Sequence, residues 1–143
     1  MIIKQSYIKE LIIYFIIGTI SFLTDVYTGT KINKLYNKCK KPIYTLLLLY
    51  IHHLYASFIY FGWLSKHKII LSFHILSILF VMIFQYNNNM ICPSTEIVNI
   101  NCNINRTSYL RDFLYFTNIK DNNLYEIYIF VSFYISCYKI YNM

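Results

Sequence analysis

Apolar residues gather in four runs along the chain, near residues 8–27, 43–64, 69–86 and 124–138, with polar connections between them. A helix needs about 20 residues to cross the hydrocarbon core of a bilayer. The second run, 22 residues without a formal charge, meets that length. The first is interrupted late by Asp25, the third contains His74, and the fourth, the shortest, contains Glu126. In lipid every backbone N–H and C=O must be bonded within its own segment, so runs of this length are helices. Lys4 and Lys9 lead into the first run as in a signal peptide, but no small-residue cleavage site follows, so it reads as a retained span. The connection 65–68 is short enough to make the second and third helices an antiparallel hairpin. The third connection, 87–123, is long and polar. Within it Tyr109, Leu110, Phe113, Leu114 and Phe116 recur at spacings that predict a short amphipathic helix over 107–118, lying on the membrane surface. The expected fold is all-α: an integral membrane four-helix bundle with one surface helix in the third loop, residues 1–143 forming a single polytopic domain.

Polar residues inside the runs fall on stripes of three- and four-residue spacing, which is one face of a helix. Tyr14, Gly18, Ser21, Asp25 and Thr28 share the first. His53, Ser57 and Tyr60 share the second, from which His52 points about 100° away. His74, Ser77, Val81 and Gln85 mark the third, and Glu126, Phe130, Phe133 and Cys137 the fourth. Polar groups in spanning helices face the bundle interior, so these stripes are the expected inward faces. At about 1.5 Å per residue, Tyr60 and His74 stand at similar depth on adjacent helices, within range of a hydrogen bond. Asp25, Gln85 and Glu126 lie near the opposite surface, where Lys41 or Arg111 would pair with the carboxylates.

Composition sharpens the membrane reading. The chain is 57% hydrophobic and 13% charged, about half the charge of an average soluble domain, which excludes disorder and argues against a soluble globule. The 26 isoleucines and single alanine, with abundant Tyr, Asn, Lys and Phe, look like AT-rich coding, so the aromatic content carries no functional signal. The net charge of +7 comes from lysines in the connections and reads as membrane charge asymmetry rather than nucleic-acid binding. The first and third connections hold eight Lys and Arg against five in the N-terminus, second connection and C-terminus. The positive-inside rule then places loops one and three in the cytosol. Asn105-Arg106-Thr107, a glycosylation sequon, points the other way.

The chemistry-bearing residues are few. Cys39, Cys92, Cys102 and Cys137 are too scattered for a disulfide scaffold. Cys92 and Cys102 would pair in a lumenal loop three and stay free in a cytosolic one. Cys39, among lysines beside a span, suits palmitoylation. His53 and His74 differ in depth by about 9 Å on helical rise, which fits a bis-histidine haem poorly, and no Cys/His spacing suits zinc. No metal or cofactor is expected, and with three glycines no phosphate-cradling loop is available. Cys92 as a nucleophile needs a nearby base, and it leaves the third helix on the side away from His74.

In order, His52-His53, Phe61-Gly62-Trp63, His74, Asn87-Asn88-Asn89, Cys92-Pro93-Ser94-Thr95-Glu96 and Asn99 form a pattern. It is similar to a family of small multi-pass membrane proteins of unknown function, found in bacteria and large DNA viruses, with two histidine-bearing helices and a Cys-Pro-Leu-Thr turn. The resemblance covers about residues 52–116 and singles out His53, Gly62, His74, Cys92, Pro93, Thr95 and Asn99; Ser94 stands where the pattern has Leu. It implies a fold and a residue set but no mechanism. Pro93 disfavours helical geometry at Cys92, which reads as the stop of the third helix, with Thr95 or Asn99 capping the exit.

The leading expectation is a non-enzymatic membrane protein that packs against lipid, a partner membrane protein or a second copy. The alternatives are a membrane thiol or redox enzyme using His53, His74 and Cys92, and a proton or ion channel using Asp25 and Glu126. Ser21, Asp25, Ser57, Tyr60, Gln85 and Glu126 are the intramembrane polar candidates, and Asn105 the glycosylation candidate.

Overall fold

A computed structural model of the chain describes residues 5–28, 36–87, 92–104 and 122–143. Among these residues the fold is all-helical: α1 (Gln5–Tyr27), α2 (Pro42–Phe61), α3 (Lys68–Asn87), α4 (Pro93–Cys102) and α5 (Asn122–Tyr141). Short 3-10 turns at Tyr36–Lys38 and Gly62–Leu64 precede and follow α2. Three helices are long and apolar enough to cross a membrane: α1, α2 with its following turn, and α3. The fourth run forms α5, equally long at 20 residues but less apolar. The surface helix expected over 107–118 and the sequon at Asn105 lie outside the described residues.

The main packing pairs are α1 with α2 and α3 with α5, while α2 also touches α3, α4 and α5. The interior is polar to an unusual degree. Ser21, Asp25, Thr45, His53, Ser57, His74, Thr95, Asn99, Ser132 and Ser136 are buried, whereas Leu11, Ile16, Ile20, Leu47, Ile69, Phe73, Leu76 and Phe80 are exposed. An exposed apolar surface of this extent on a soluble monomer would be an association liability. The same surface would cost nothing against lipid, whose chains are as apolar as the side chains.

The inward faces of α1 and α2 follow the polar stripes. The buried residues of α1 are Tyr14, Gly18, Ser21 and Asp25, and those of α2 include His53, Ser57 and Tyr60. A Cβ on Gly18 would stand 2.8 Å from the Leu54 Cα, so glycine is what lets the two backbones meet. The face of α5 differs from expectation. Ile129, Ser132 and Ser136 are buried and Phe130 is exposed, which rotates the helix by one residue from the Glu126–Phe130–Phe133–Cys137 stripe. Ser132 and Ser136 are tolerated inside because each hydroxyl donates to a carbonyl of its own helix.

Helix α4 is the element the apolar pattern did not predict. Pro93 occupies its first turn, where a missing N–H costs nothing. Cys92 before it is extended, at φ −63° and ψ 131°, as the residue before a proline prefers. Cys92-Pro93 therefore starts a helix, five residues beyond the end of α3, rather than only stopping one. The far end closes on Asn103 in left-handed geometry, φ 54°, with the Ile104 N–H donating to the Asn99 carbonyl. Thr95, Val98, Asn99 and Cys102 are its buried residues. Val98 and Cys102 pack with Leu49 of α2.

A Cys39–Cys102 disulfide joins the segment before α2 to the last turn of α4, reinforced by the Lys40 N–H donating to the Asn101 carbonyl at 2.9 Å. This corrects the expected Cys92–Cys102 alternative and removes Cys39 as a free acylation site. Cys92 and Cys137 are the free thiols.

Candidate functional site: the Cys92 thiol and the histidine pair of α2

His52 and His53 are adjacent on α2 and look in different directions, their rings 5.6 Å apart and nearly perpendicular. Consecutive residues on a helix are about 100° apart, so each serves a different neighbour. His53 faces α1. Its Nδ1 is 2.9 Å from the Ser21 Oγ and its Nε2 3.3 Å from an Asp25 carboxylate oxygen. The same oxygen accepts the Tyr36 hydroxyl at 2.7 Å. His53 and Asp25 are both fully enclosed. Asp25 is thus held by a histidine and a tyrosine, not by the expected Lys41. A buried charge is tolerable only when paired and bonded in this way.

His52 faces α4. Its Nδ1 is 3.1 Å from the Ser94 Oγ and 3.9 Å from the Cys92 Sγ, and the Ser94 Oγ is 3.0 Å from that sulfur. The three atoms form a triangle in which a serine hydroxyl bridges ring and thiol. With Nδ1 protonated, His52 donates to Ser94, and Ser94 donates to the sulfur. Burial alone would raise the Cys92 pKa. The hydrogen bond and positive charge of His52, with the bonds from Ser94, outweigh it and hold the thiol at about 6. Cys92 also sits at the N-terminus of α4, where aligned backbone dipoles favour a negative charge. It is half-buried rather than sealed. Thr95 and Asn99, one turn apart, lie buried on the same helix.

His74 belongs to neither group. Its Nδ1 is 2.8 Å from the Ser136 Oγ of α5 and its Nε2 2.9 Å from the Ile59 carbonyl of α2. It does not reach Tyr60, as depth suggested. It instead locks the start of α3 against α2 and α5. Gly62 exists for the same ring: a Cβ there would run into His74. The Tyr60 carbonyl receives the Tyr128 hydroxyl and the Trp63 indole N–H. The Ser57 hydroxyl is 2.8 Å from the Tyr14 carbonyl, another α1–α2 tie. Gln85 and Glu126 both line a groove between α3 and α5, which Asp25 does not line.

The residues singled out by pattern therefore separate into three places. His53 joins Ser21 and Asp25; Gly62 joins His74; Pro93, Thr95 and Asn99 share α4, with Cys92 directly before it. The set His53, His74 and Cys92 is not one site. The residue missed was His52, whose signal was its position off the α2 interior stripe; Ser94, the residue that departs from the resembled turn, is the second. Among the described residues no three His, Cys, Asp or Glu side chains converge as a metal site requires, and both ring nitrogens of His53 and of His74 are engaged. No protein-family model, curated protein or solved structure matches the chain.

Proposed function

We propose that the protein is an integral membrane thiol enzyme, with α1, α2, α3 and α5 spanning as a four-helix bundle and Cys92 as a nucleophile at one membrane face. The observation that carries the reading is the Cys92–Ser94–His52 triangle. A thiolate with pKa about 6 is mostly ionised at neutral pH, and the thiolate is the reactive form. In this scheme the Cys92 sulfur uses its electron pair to form a bond to an electrophilic acyl carbon. The acyl group's former oxygen or sulfur partner leaves with the bonding electrons and takes a proton from His52, relayed through Ser94. His52 then accepts the proton of the water or alcohol that releases the acyl group.

The Cys39–Cys102 bond supports an orientation opposite to the lysine count. Disulfides persist in oxidising compartments and are rare in the cytosol. The segment before α2, α4 and the Cys92 site would then face the lumen or exterior, and the 62–67 turn the cytosol. The competing reading is a non-enzymatic packing protein, with Cys92 inert.

Alkylation separates them. In a Cys137→Ser background, the rate of Cys92 modification by iodoacetamide should rise with pH to a half-maximum near 6. His52→Gln should move that midpoint upward toward the ordinary thiol value of 9.0. A midpoint near the ordinary value in the parent protein, unmoved by His52→Gln, would rule out the thiol reading and leave the packing role.

A further inference from the structure

A groove of about 530 Å³ opens between α3 and α5. Met82 and Ile83 of α3 and Ile129 and Phe130 of α5 are among its walls, while Gln85 and Glu126 stand at one end. Those two polar residues belong to the last turns of α3 and the first turns of α5. The polar end is therefore at the helix termini, and the apolar walls run about two turns toward the middle, roughly 10 Å on helical rise. This is the shape of an amphiphile site: a headgroup at the boundary and an alkyl chain below it. Among the described residues Glu126 has no ion-pair partner, the two pairs being His53–Asp25 and His67–Glu10. A half-buried carboxylate at the edge of hydrocarbon is costly unless a cation meets it. Gln85 beside it offers a further carbonyl acceptor.

We infer that this groove binds a bilayer lipid carrying an ammonium headgroup, its nitrogen against Glu126 and Gln85 and one acyl chain along Met82, Ile83, Ile129 and Phe130. The inference rests on the membrane reading of α3 and α5 and is independent of Cys92 chemistry. An anionic lipid without an ammonium group would bring like charge to Glu126.

The test places a tryptophan in the groove, Phe130→Trp, in vesicles of phosphatidylglycerol and phosphatidylethanolamine. Chain-brominated forms of one or the other lipid are used at equal mole fraction, with the parent protein supplying the Trp63 baseline. Brominated phosphatidylethanolamine should quench the new tryptophan about two- to fivefold more than brominated phosphatidylglycerol, the range a single half-exposed charge pair supports. Glu126→Gln should abolish that preference while leaving Cys92 alkylation unchanged, which shows that the variant is folded. Equal quenching by both lipids would overturn the inference while leaving the membrane reading standing. Absence of quenching by either would place α5 outside the hydrocarbon, and the inference would fall with the membrane reading.

Discussion

Cys92 and His52 are 40 residues apart, and it is that contact, together with Ser94, that offsets what burial does to the thiol. The same contact links protonation to stability. The folded-state pKa, about 6, lies below the ordinary value of 9.0. A depressed pKa means that the folded protein holds fewer protons than the unfolded chain between those values. The stabilisation from the thiolate is complete above pH 9, falls as pH drops through that window, and is gone below 6. Melting in detergent from pH 5 to 9 should show this rise, and Cys92→Ser should flatten it. Gly62 is the second residue whose identity is dictated by a neighbour. Gly62→Ala forces a methyl group into the His74 ring and should cost about 1–3 kcal/mol, the usual range for overpacking. His74→Ala is itself destabilising, because it empties a fully buried site and removes the bonds to Ser136 and the Ile59 carbonyl. Added to it, however, Gly62→Ala should cost little more, and a double-mutant cycle of melting data would reveal the coupling.

At the scale of elements, α4 is the piece whose position matters most and whose own means of holding it are weakest. Ten residues form a marginal helix in isolation. Its place depends on Val98 and Cys102 against Leu49 and on the Cys39 tether. The disulfide spans a sequence separation of 63 residues, and loop closure of that length contributes at most about 4 kcal/mol on the chain-entropy account. Cys39→Ser should therefore leave the packing of α1 with α2 intact while loosening α4. Hydrogen exchange would show faster exchange confined to residues 93–104 and, because Cys92 directly precedes α4, a slower alkylation rate at pH 7. Uniformly faster exchange across all helices would show instead that the bond stabilises the whole bundle. The opposite end is fastened differently: the Lys139 ammonium of α5 donates to the Trp63 and Ser65 carbonyls, and the Ser65 hydroxyl to Glu10 of α1. Those bonds draw α1 and α5 to the turn between α2 and α3.

For the whole molecule the proposed membrane reading admits two orientations, and the lysines and the disulfide argue for opposite ones. The positive-inside bias acts during insertion and is statistical, whereas a disulfide needs an oxidising environment to persist. Expression in microsomes should give a glycosidase-sensitive shift at Asn105, with none from a control sequon placed in the 65–68 turn. A shift from the control alone would restore the lysine orientation and require the Cys39–Cys102 bond to form on the cytosolic side.

Four apolar runs that fold as helices, and the inward faces of α1 and α2, were legible from sequence, because an apolar run must bond its backbone within its own segment and gathers its polar side chains on one face. Tyr14, Gly18, Ser21 and Asp25 could be read from spacing alone. The rotation of α5 could not, since its serines bond to their own helix and allow either face to turn inward. Nor could the partners of the cysteines and histidines. Helical periodicity says which residues share a face but not which helix that face will meet. Only tertiary structure sets α4 against α2, and with it Cys39 against Cys102 and His52 against Cys92.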